Sequence, residues 1–214
     1  MSKLQTTCLW LTIPLSASAA GFDTNKILTG IEDRYNHIQT LQVDFVQTYK
    51  FRGPTRIPEK GTLYLHKPGR MRWEYSSPAG KLFISDNKNF YDYNPEDNSV
   101  KITKMKEDDD LRGPMAFLLG KLNFHEDFGK FDAKAQGEDV AITAFPKSDK
   151  AAFTEVSFIA TMDFVIKELT VKGQEGDVMR YVFSGEKKNP PVSDALFRFT
   201  PPAGVNILDE TRGK

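Results

Sequence analysis

The stretch of sequence that decides the fold is a short alternating run, Arg70-Met71-Arg72-Trp73-Glu74-Tyr75. Successive side chains of a β-strand point to opposite faces, so the three apolar side chains of this run share one face and the three charged side chains share the other. One apolar and one charged face are typical of an antiparallel sheet that is wetted on one side. The run therefore predicts an antiparallel sheet with a single buried face.

The same period of two continues on both sides of this run. Leu41, Val43 and Phe45 alternate with more polar residues, and Leu63 and Leu65 do so again just before the run. Further short strands are expected around residues 82–84, 90–93, 100–103, 140–145, 153–159, 164–171 and 178–184. Turn-forming residues separate them, so the spacing predicts a meander of neighbouring strands.

Two helices interrupt this pattern. The first is capped by Asp23 or Thr24, and its apolar stripe recurs at helical spacing through Ile27, Leu28, Ile31, Tyr35 and Ile38. The second spans residues 114–120, with proline near its first turn and glycine past its last. The fold class is mainly β (α+β), a curved antiparallel sheet or open barrel. Few helices seldom fill the concavity of a wide sheet, so a cavity is expected.

Composition narrows the function classes. The chain has 214 residues, with 29 Lys+Arg against 29 Asp+Glu, which suits one globular domain without a basic excess for nucleic acid or an acidic membrane face. Aromatic residues make up 12% of the chain, which favours a β-rich core or an aromatic-lined cavity. No nucleic-acid partner is therefore expected.

The amino-terminal segment has the pattern of a cleaved secretory signal over residues 1–20. Lys3 precedes an apolar run at residues 8–15, and small residues follow at 16–20. A buried amino-terminal helix is the alternative. Cleavage would leave residues 21–214 as a single exported domain without a thiol, because Cys8 is the only cysteine.

The chemistry of a catalytic site is hard to find in this sequence. His37, His66 and His125 each have an ordinary structural explanation, and no G-x-S-x-G or G-x-G-x-x-G motif occurs. Metal-ligand spacing is missing as well, and the acidic residues 107–110 lack the alternating ligands of a calcium loop. The sequence predicts a protein that is not an enzyme and uses neither a cofactor nor a metal.

Six segments together resemble the LolA family of periplasmic lipoprotein carriers of Gram-negative bacteria. They are residues 45–47, 61–75, 84–88, 91–93, 114–120 and 197–205. The resemblance implies an unclosed antiparallel β-barrel, or half-barrel, with a lid of a few α-helices over an apolar cavity. It implies a monomeric periplasmic carrier that takes the acyl chains of lipoproteins from an inner-membrane ABC transporter to an outer-membrane receptor.

The resemblance and the apolar pattern together give the candidate site. The expected acyl-binding residues of the cavity and its mouth are Leu28, Ile31, Phe45, Leu63, Leu65, Met71, Trp73, Phe83, Met115, Phe117, Leu118 and Leu119. Lys67 stands where a family member has an arginine that latches the lid. Because lysine lacks the planar fork of arginine, Arg70 or Arg72 could serve as the latch instead.

Three other classes compete with this interpretation. A receptor or sensor on the same fold would need an acylated terminal cysteine or a second domain. An esterase would need a catalytic triad. A periplasmic carrier of other lipids or glycolipids stays open, because acyl chains look alike to an apolar cavity.

Overall fold

The computed structural model describes residues 22–105 and 122–211. Helix α1 (Thr24–Asn36) comes first, and a four-residue helix α2 (Phe124–Asp127) and a 3-10 helix (Asp194–Phe197) come later. The strands are β1 (Thr40–Lys50), β2 (Glu59–His66), β3 (Arg70–Ser77), β4 (Ala79–Asp86), β5 (Asn89–Asn94), β6 (Ser99–Lys104), β7 (Phe128–Gln136), β8 (Asp139–Pro146), β9 (Phe153–Ala160), β10 (Ile166–Gly173), β11 (Val178–Lys188) and β12 (Asn206–Asp209).

The strands form one sheet in the order β12-β6-β5-β4-β3-β2-β1-β11-β10-β9-β8-β7. The two end strands, β12 and β7, are not paired with each other, so the sheet is unclosed. The mainly β, unclosed and largely antiparallel fold predicted from the sequence is confirmed. One pairing differs from the expectation, because β12 runs parallel to β6.

The parallel pair follows from the path of the carboxyl-terminal segment. After β11 the chain crosses the outer face of the sheet, where Leu196 accepts a hydrogen bond from Arg72 and Phe199 stacks on Tyr91 at 5.4 Å. It then adds β12 at the far edge, with Asn206 opposite Ser99. The segment therefore covers part of the outer face before it joins the sheet.

Helix α1 lies on the inner face, where its apolar stripe is buried as predicted. Asp23 is the cap, because its carboxylate accepts from the amides of Asn25 at 2.9 Å and Lys26 at 3.3 Å. Gly30 permits a close approach to the β9–β10 turn, since a Cβ atom there would lie 2.5 Å from the ring of Phe164. Helix α1 is thus fixed against both halves of the sheet.

Apolar side chains are buried on both faces of the sheet. The inner cluster joins α1 to strands on both sides of β1 and contains Leu63, Trp73 and Tyr181. On the outer face, Ile84, Val100 and Phe197 are buried outside that inner cluster. The outer apolar side chains are those over which the carboxyl-terminal segment passes.

Strand β7 and helix α2 were not expected from the sequence. Phe131 and Ala133 alternate with charged residues in β7, but they are only half-buried, and an irregularity separates them from the buried Phe128. The expected signal at residues 1–20 and the expected helix at 114–120 lie outside the described residues. In the described part, no helix is long and apolar enough to cross a membrane.

Candidate functional site

The sequence-predicted apolar residues of β1 to β4 come together on the inner face. Cross-strand register places Leu65 opposite Met71, Leu63 opposite Trp73, and Trp73 opposite Phe83. Paired residues of neighbouring strands point to the same face, so these side chains form one continuous surface. Six of the predicted residues belong to it, each at most 3% exposed: Phe45, Leu63, Leu65, Met71, Trp73 and Phe83.

Helix α1 supplies the opposite wall of this surface. Leu28 and Ile31, both predicted as acyl-binding residues, are fully buried at 0% exposure and belong to the same apolar cluster as the sheet residues. Helical spacing puts them on one stripe, one turn apart. The structure therefore brings together eight of the twelve predicted apolar residues.

Aromatic rings run across the inner face at its centre. Phe45 meets Trp73 edge to face at a centroid distance of 4.8 Å, and Trp73 lies 5.1 Å from Tyr181. Phe183 then stacks on Tyr181 at 6.1 Å. Tyr181 and Phe183 were missed as site residues, although their strand was predicted, because nothing in the sequence tells which strands lie beside β1.

Two methionine sulfurs accept the polar hydrogens of this aromatic row. Trp73 Nε1 donates to Met71 Sδ at 3.3 Å, and the Tyr181 hydroxyl donates to Met179 Sδ. Thioether sulfur is soft and only weakly polar. Both of these ring hydrogens thus meet soft acceptors, which suits a face that contacts hydrocarbon.

A polar corner closes the inner face at the end of β1 nearest the β1–β2 loop. The Tyr75 hydroxyl donates to Gln47 Oε1 at 2.9 Å, and Lys81 Nζ donates to both oxygens of Glu59 at 2.7 and 2.8 Å. Lys81 Nζ also lies 4.6 Å from the centre of the Tyr75 ring. The apolar surface therefore ends at a charged boundary on this side.

Lys67, the first latch candidate, contacts α1. Its Nζ donates to the main-chain carbonyl of Tyr35 at 2.8 Å, at the last turn of the helix. The carbonyls of a helix carboxyl terminus carry partial negative charge, so a cation is favourable there. Burial lowers the pKa of the Lys67 amine from its usual value.

Arg70 and Arg72, the other latch candidates, lie on the outer face. Arg70 donates to Asp194 Oδ1 at 2.6 Å, and this hydrogen bond and charge lower the pKa of the Asp194 carboxyl. Arg72 donates to the carbonyl of Leu196 at 3.2 Å. Arg70 also contacts His66 Nε2 at 3.0 Å, and Arg72 also donates to Glu74 Oε2 at 2.9 Å. These contacts lie on the face opposite Met71 and Trp73.

The remaining predicted site residues, Met115, Phe117, Leu118 and Leu119, lie outside the described residues. The structure describes Met105 and Leu122, which stand on either side of these residues in the sequence. Met105 donates its amide to the carbonyl of Lys88 at 2.9 Å. Leu122 is held by Asn36, whose side chain donates to its carbonyl at 2.9 Å and accepts from its amide at 2.6 Å.

The carboxyl-terminal end of α1 is fixed by further polar contacts. Tyr35 donates to Glu186 Oε2 at 2.8 Å and accepts from the amide of Ile166 at 3.1 Å, while Arg34 pairs with Glu186. Burial and the nearby Glu186 charge raise the pKa of the Tyr35 hydroxyl. These contacts orient α1 and offer no nucleophile or base with a reacting partner.

An open groove of about 420 Å³ lies beside α1 and includes Gly30, Asp33, His37 and Phe164 in its lining. Its lining mixes acidic, basic and apolar groups, unlike the inner face. Among residues 22–105 and 122–211, no group of three or more His, Cys, Asp or Glu side chains could hold a metal ion.

The sequence matches the family model described as outer membrane lipoprotein carrier protein LolA over residues 36–200. An outer-membrane lipoprotein carrier protein of Pectobacterium carotovorum subsp. carotovorum (strain PC1) is 30% identical over 207 residues, which cover 94% of this chain and 98% of the relative. A protein of the same name from Nitrosomonas europaea is 27% identical over 203 residues, covering 94% and 93%.

Among solved structures, an uncharacterized conserved protein from Thermus thermophilus superposes with a TM-score of 0.51 at 13% identity, covering 87% of this chain and 98% of that chain. This likeness concerns the fold alone. The family model spans most of the chain, and the Pectobacterium relative covers nearly all of it. The chain therefore belongs to the LolA family of outer-membrane lipoprotein carrier proteins.

Proposed function

We propose that the chain carries lipoproteins through the periplasm by holding their acyl chains against the inner face of the open sheet. The observation that carries this proposal is the apolar surface shared by Leu63, Met71, Trp73 and α1, built on a sheet that does not close. Each buried methylene contributes about 0.8 kcal/mol, so acyl chains need such a surface to leave a membrane. Family membership supports lipoprotein as the cargo.

The chemistry of the inner face supports release as well as binding. Aromatic and methionine side chains make many weak, adaptable contacts, and the strong polar groups of Gln47, Glu59 and Lys81 stand at its boundary. Cargo held by dispersed contacts can pass to another protein in steps. We infer that all twelve predicted apolar residues serve this binding, including those at 115 and 117–119.

The proposed route has two partners and one compartment. An inner-membrane ABC transporter supplies the acylated cargo, and an outer-membrane receptor accepts it. The proposal includes removal of residues 1–20 on export, action of residues 21–214 as one monomeric domain in the periplasm, and no chemical step on the cargo. In this scheme Lys67 helps to hold α1 in the unloaded state.

The test uses the mature chain and an apolar fluorophore. A triacylated lipopeptide is expected to displace the fluorophore stoichiometrically, and the same peptide without acyl chains is expected to do so poorly. Equal displacement by both peptides would remove the acyl-binding surface from the proposal. Native mass spectrometry of the protein purified from the periplasm then identifies the cargo, since a bound phospholipid or glycolipid in place of lipoprotein would support the alternative carrier.

A further inference from the structure

The β1–β2 loop, residues 51–58, is the most exposed apolar and cationic feature of the described chain. Ile57 is 87% exposed, whereas the other exposed large hydrophobic residues there reach at most 57%. An aliphatic side chain so fully in water, between the base of the loop and the start of β2, contributes nothing to the core. A single exposed aliphatic side chain is common on protein surfaces, so Ile57 gains its interest from the residues around it.

The loop is also purely cationic. Arg52 and Arg56 are its charged residues, Lys50 ends β1 just before it, and no Asp or Glu occurs between residues 50 and 58. The whole chain has a formal net charge of zero, so this is a local separation of charge. Acidic residues occur in the neighbouring β10–β11 turn, which leads into β11 beside the end of β1, where Lys50 pairs with Val178. On its other side this turn contacts the β8–β9 loop through the hydrogen bond from Gln174 Nε2 to the carbonyl of Ala151 at 3.0 Å.

The two arginines are held in place by aromatic rings. The Arg52 guanidinium lies 4.7 Å from the centre of the Phe51 ring, and that of Arg56 lies 4.9 Å from the Tyr49 ring. The Arg56 amide donates to the Tyr49 carbonyl at 2.8 Å and closes the base of the loop. Pro54 and Pro58 further restrict its backbone. The loop therefore presents its cations and Ile57 with little entropy left to lose on binding.

We propose that this loop docks the carrier on an anionic phospholipid surface. Guanidinium groups match phosphate oxygens in a planar fork, and half-buried aromatic rings and one aliphatic side chain suit the boundary between headgroups and acyl chains. The inference rests on the proposed function, because a carrier working between two membranes meets a lipid surface at each end of its route.

Docking through this loop is weak because of the residues involved. One aliphatic side chain and two arginines bind a membrane less tightly than a covalent lipid anchor does, so the bound state is reversible and salt-sensitive. The contact concentrates the carrier near the membrane while its inner face stays available. The loop lies at the end of the strands away from Lys67 and Met71, so a docked carrier keeps the predicted cavity mouth free.

The experiment measures co-flotation of the mature chain with vesicles of 40% phosphatidylglycerol in phosphatidylcholine, at low salt. Binding is expected there, with little to pure phosphatidylcholine vesicles and loss in 0.5 M NaCl. Arg52→Ser with Arg56→Ser should reduce partitioning about tenfold, and Ile57→Ser about threefold. The matched controls are Lys134→Ser with Lys150→Ser, which remove equal charge elsewhere, and Ile207→Ser, another exposed isoleucine at 54%.

The outcomes distinguish a failure of the docking proposal from a failure of the proposed function. Absence of binding to anionic vesicles, or equal losses in the loop variants and the controls, would overturn the proposal and leave an acidic protein as the partner to seek. Fluorophore displacement by the lipopeptide is measured on the same variants. If displacement fails in the parent chain while vesicle binding persists, the proposed function is wrong and the docking surface stands.

Discussion

Lys67 Nζ lies 2.8 Å from the main-chain oxygen of Tyr35, so the β2–β3 turn is joined to the last turn of α1 across the inner face. The amine is half-buried, and its contact is made to a carbonyl that already carries the negative end of the helix dipole. A single side chain thus links a sheet turn to the helix that covers the sheet.

Lys67→Leu should shift the balance between unloaded and loaded carrier. Loss of a hydrogen bond from a charged donor corresponds to about a tenfold change in that equilibrium. Transfer of cargo to the receptor should slow, because without this contact the unloaded carrier is less stable relative to the loaded carrier. The measurement is the rate at which labelled lipoprotein leaves the loaded variant for the receptor. Lys67→Arg should transfer as the parent does, since guanidinium can make the same contact.

Arg70→Leu provides the control on the outer face and carries a pH prediction of its own. Arg70 lowers the pKa of the Asp194 carboxyl, so the pair contributes stability above the ordinary value of 3.8 and loses it as pH falls through the folded-state pKa. In Arg70→Leu an NMR titration should find the Asp194 pKa raised towards its ordinary value, while the nearby charges of His66 and Arg198 still lower it to a smaller extent. Slowed cargo release in this variant would show that the outer contact also takes part in latching.

Met71→Glu should block loading. The parent side chain is 1% exposed beside Trp73, and a carboxylate there costs several kcal/mol or turns outwards and distorts β3. Uptake of lipoprotein from the transporter is the quantity to follow, with circular dichroism as the check on the sheet. Met162→Glu is the matched control, because Met162 is 54% exposed. Normal uptake by Met71→Glu would contradict the face assignment.

Gly30→Ala should lower the free energy of unfolding by about 1–3 kcal/mol, through overpacking. The added Cβ would meet the Phe164 ring at 2.5 Å, so α1 or the β9–β10 turn must move. Urea unfolding of Gly30→Ala, of Phe164→Ala and of the double variant forms a cycle. If the loss of unfolding free energy in the double variant equals the sum of the two single losses, the added Cβ and the Phe164 ring do not interact. The strain then lies elsewhere.

The inner face could be predicted from the sequence because its strands follow local rules. Alternation in β3 fixed the side on which Met71 and Trp73 lie, and helical spacing identified Leu28 and Ile31. The partners from β11 could not be predicted in the same way. Tyr181 reaches Trp73 only because β11 pairs with β1 across about 130 residues of intervening chain, and local periodicity contains no information on that pairing.

Two of the three predicted latch residues lie on the outer face, away from the predicted acyl-binding residues. Alternation already put Arg70 and Arg72 opposite Met71, yet their partners depended on the path of the carboxyl-terminal segment. That path is set by Phe197 and Phe199, which find apolar partners on the outer face. Strand β7 was missed because the apolar side of its alternation consists of Phe131, Ala133 and Ala135, which are mostly small and are not fully buried.

The unclosed sheet has a cost that closed barrels avoid, since among the described strands β7 and β12 are each paired on one side only, and an edge strand can pair with another chain. Both edges have features that oppose such pairing. β12 has four residues, too few to template a long ladder, and β7 exposes Lys130 at 67% and Asp132 at 56% of their side-chain surface. A carrier that must keep its sheet open for cargo thus protects itself from aggregation at its margins, where a short strand and a charged strand replace the closure.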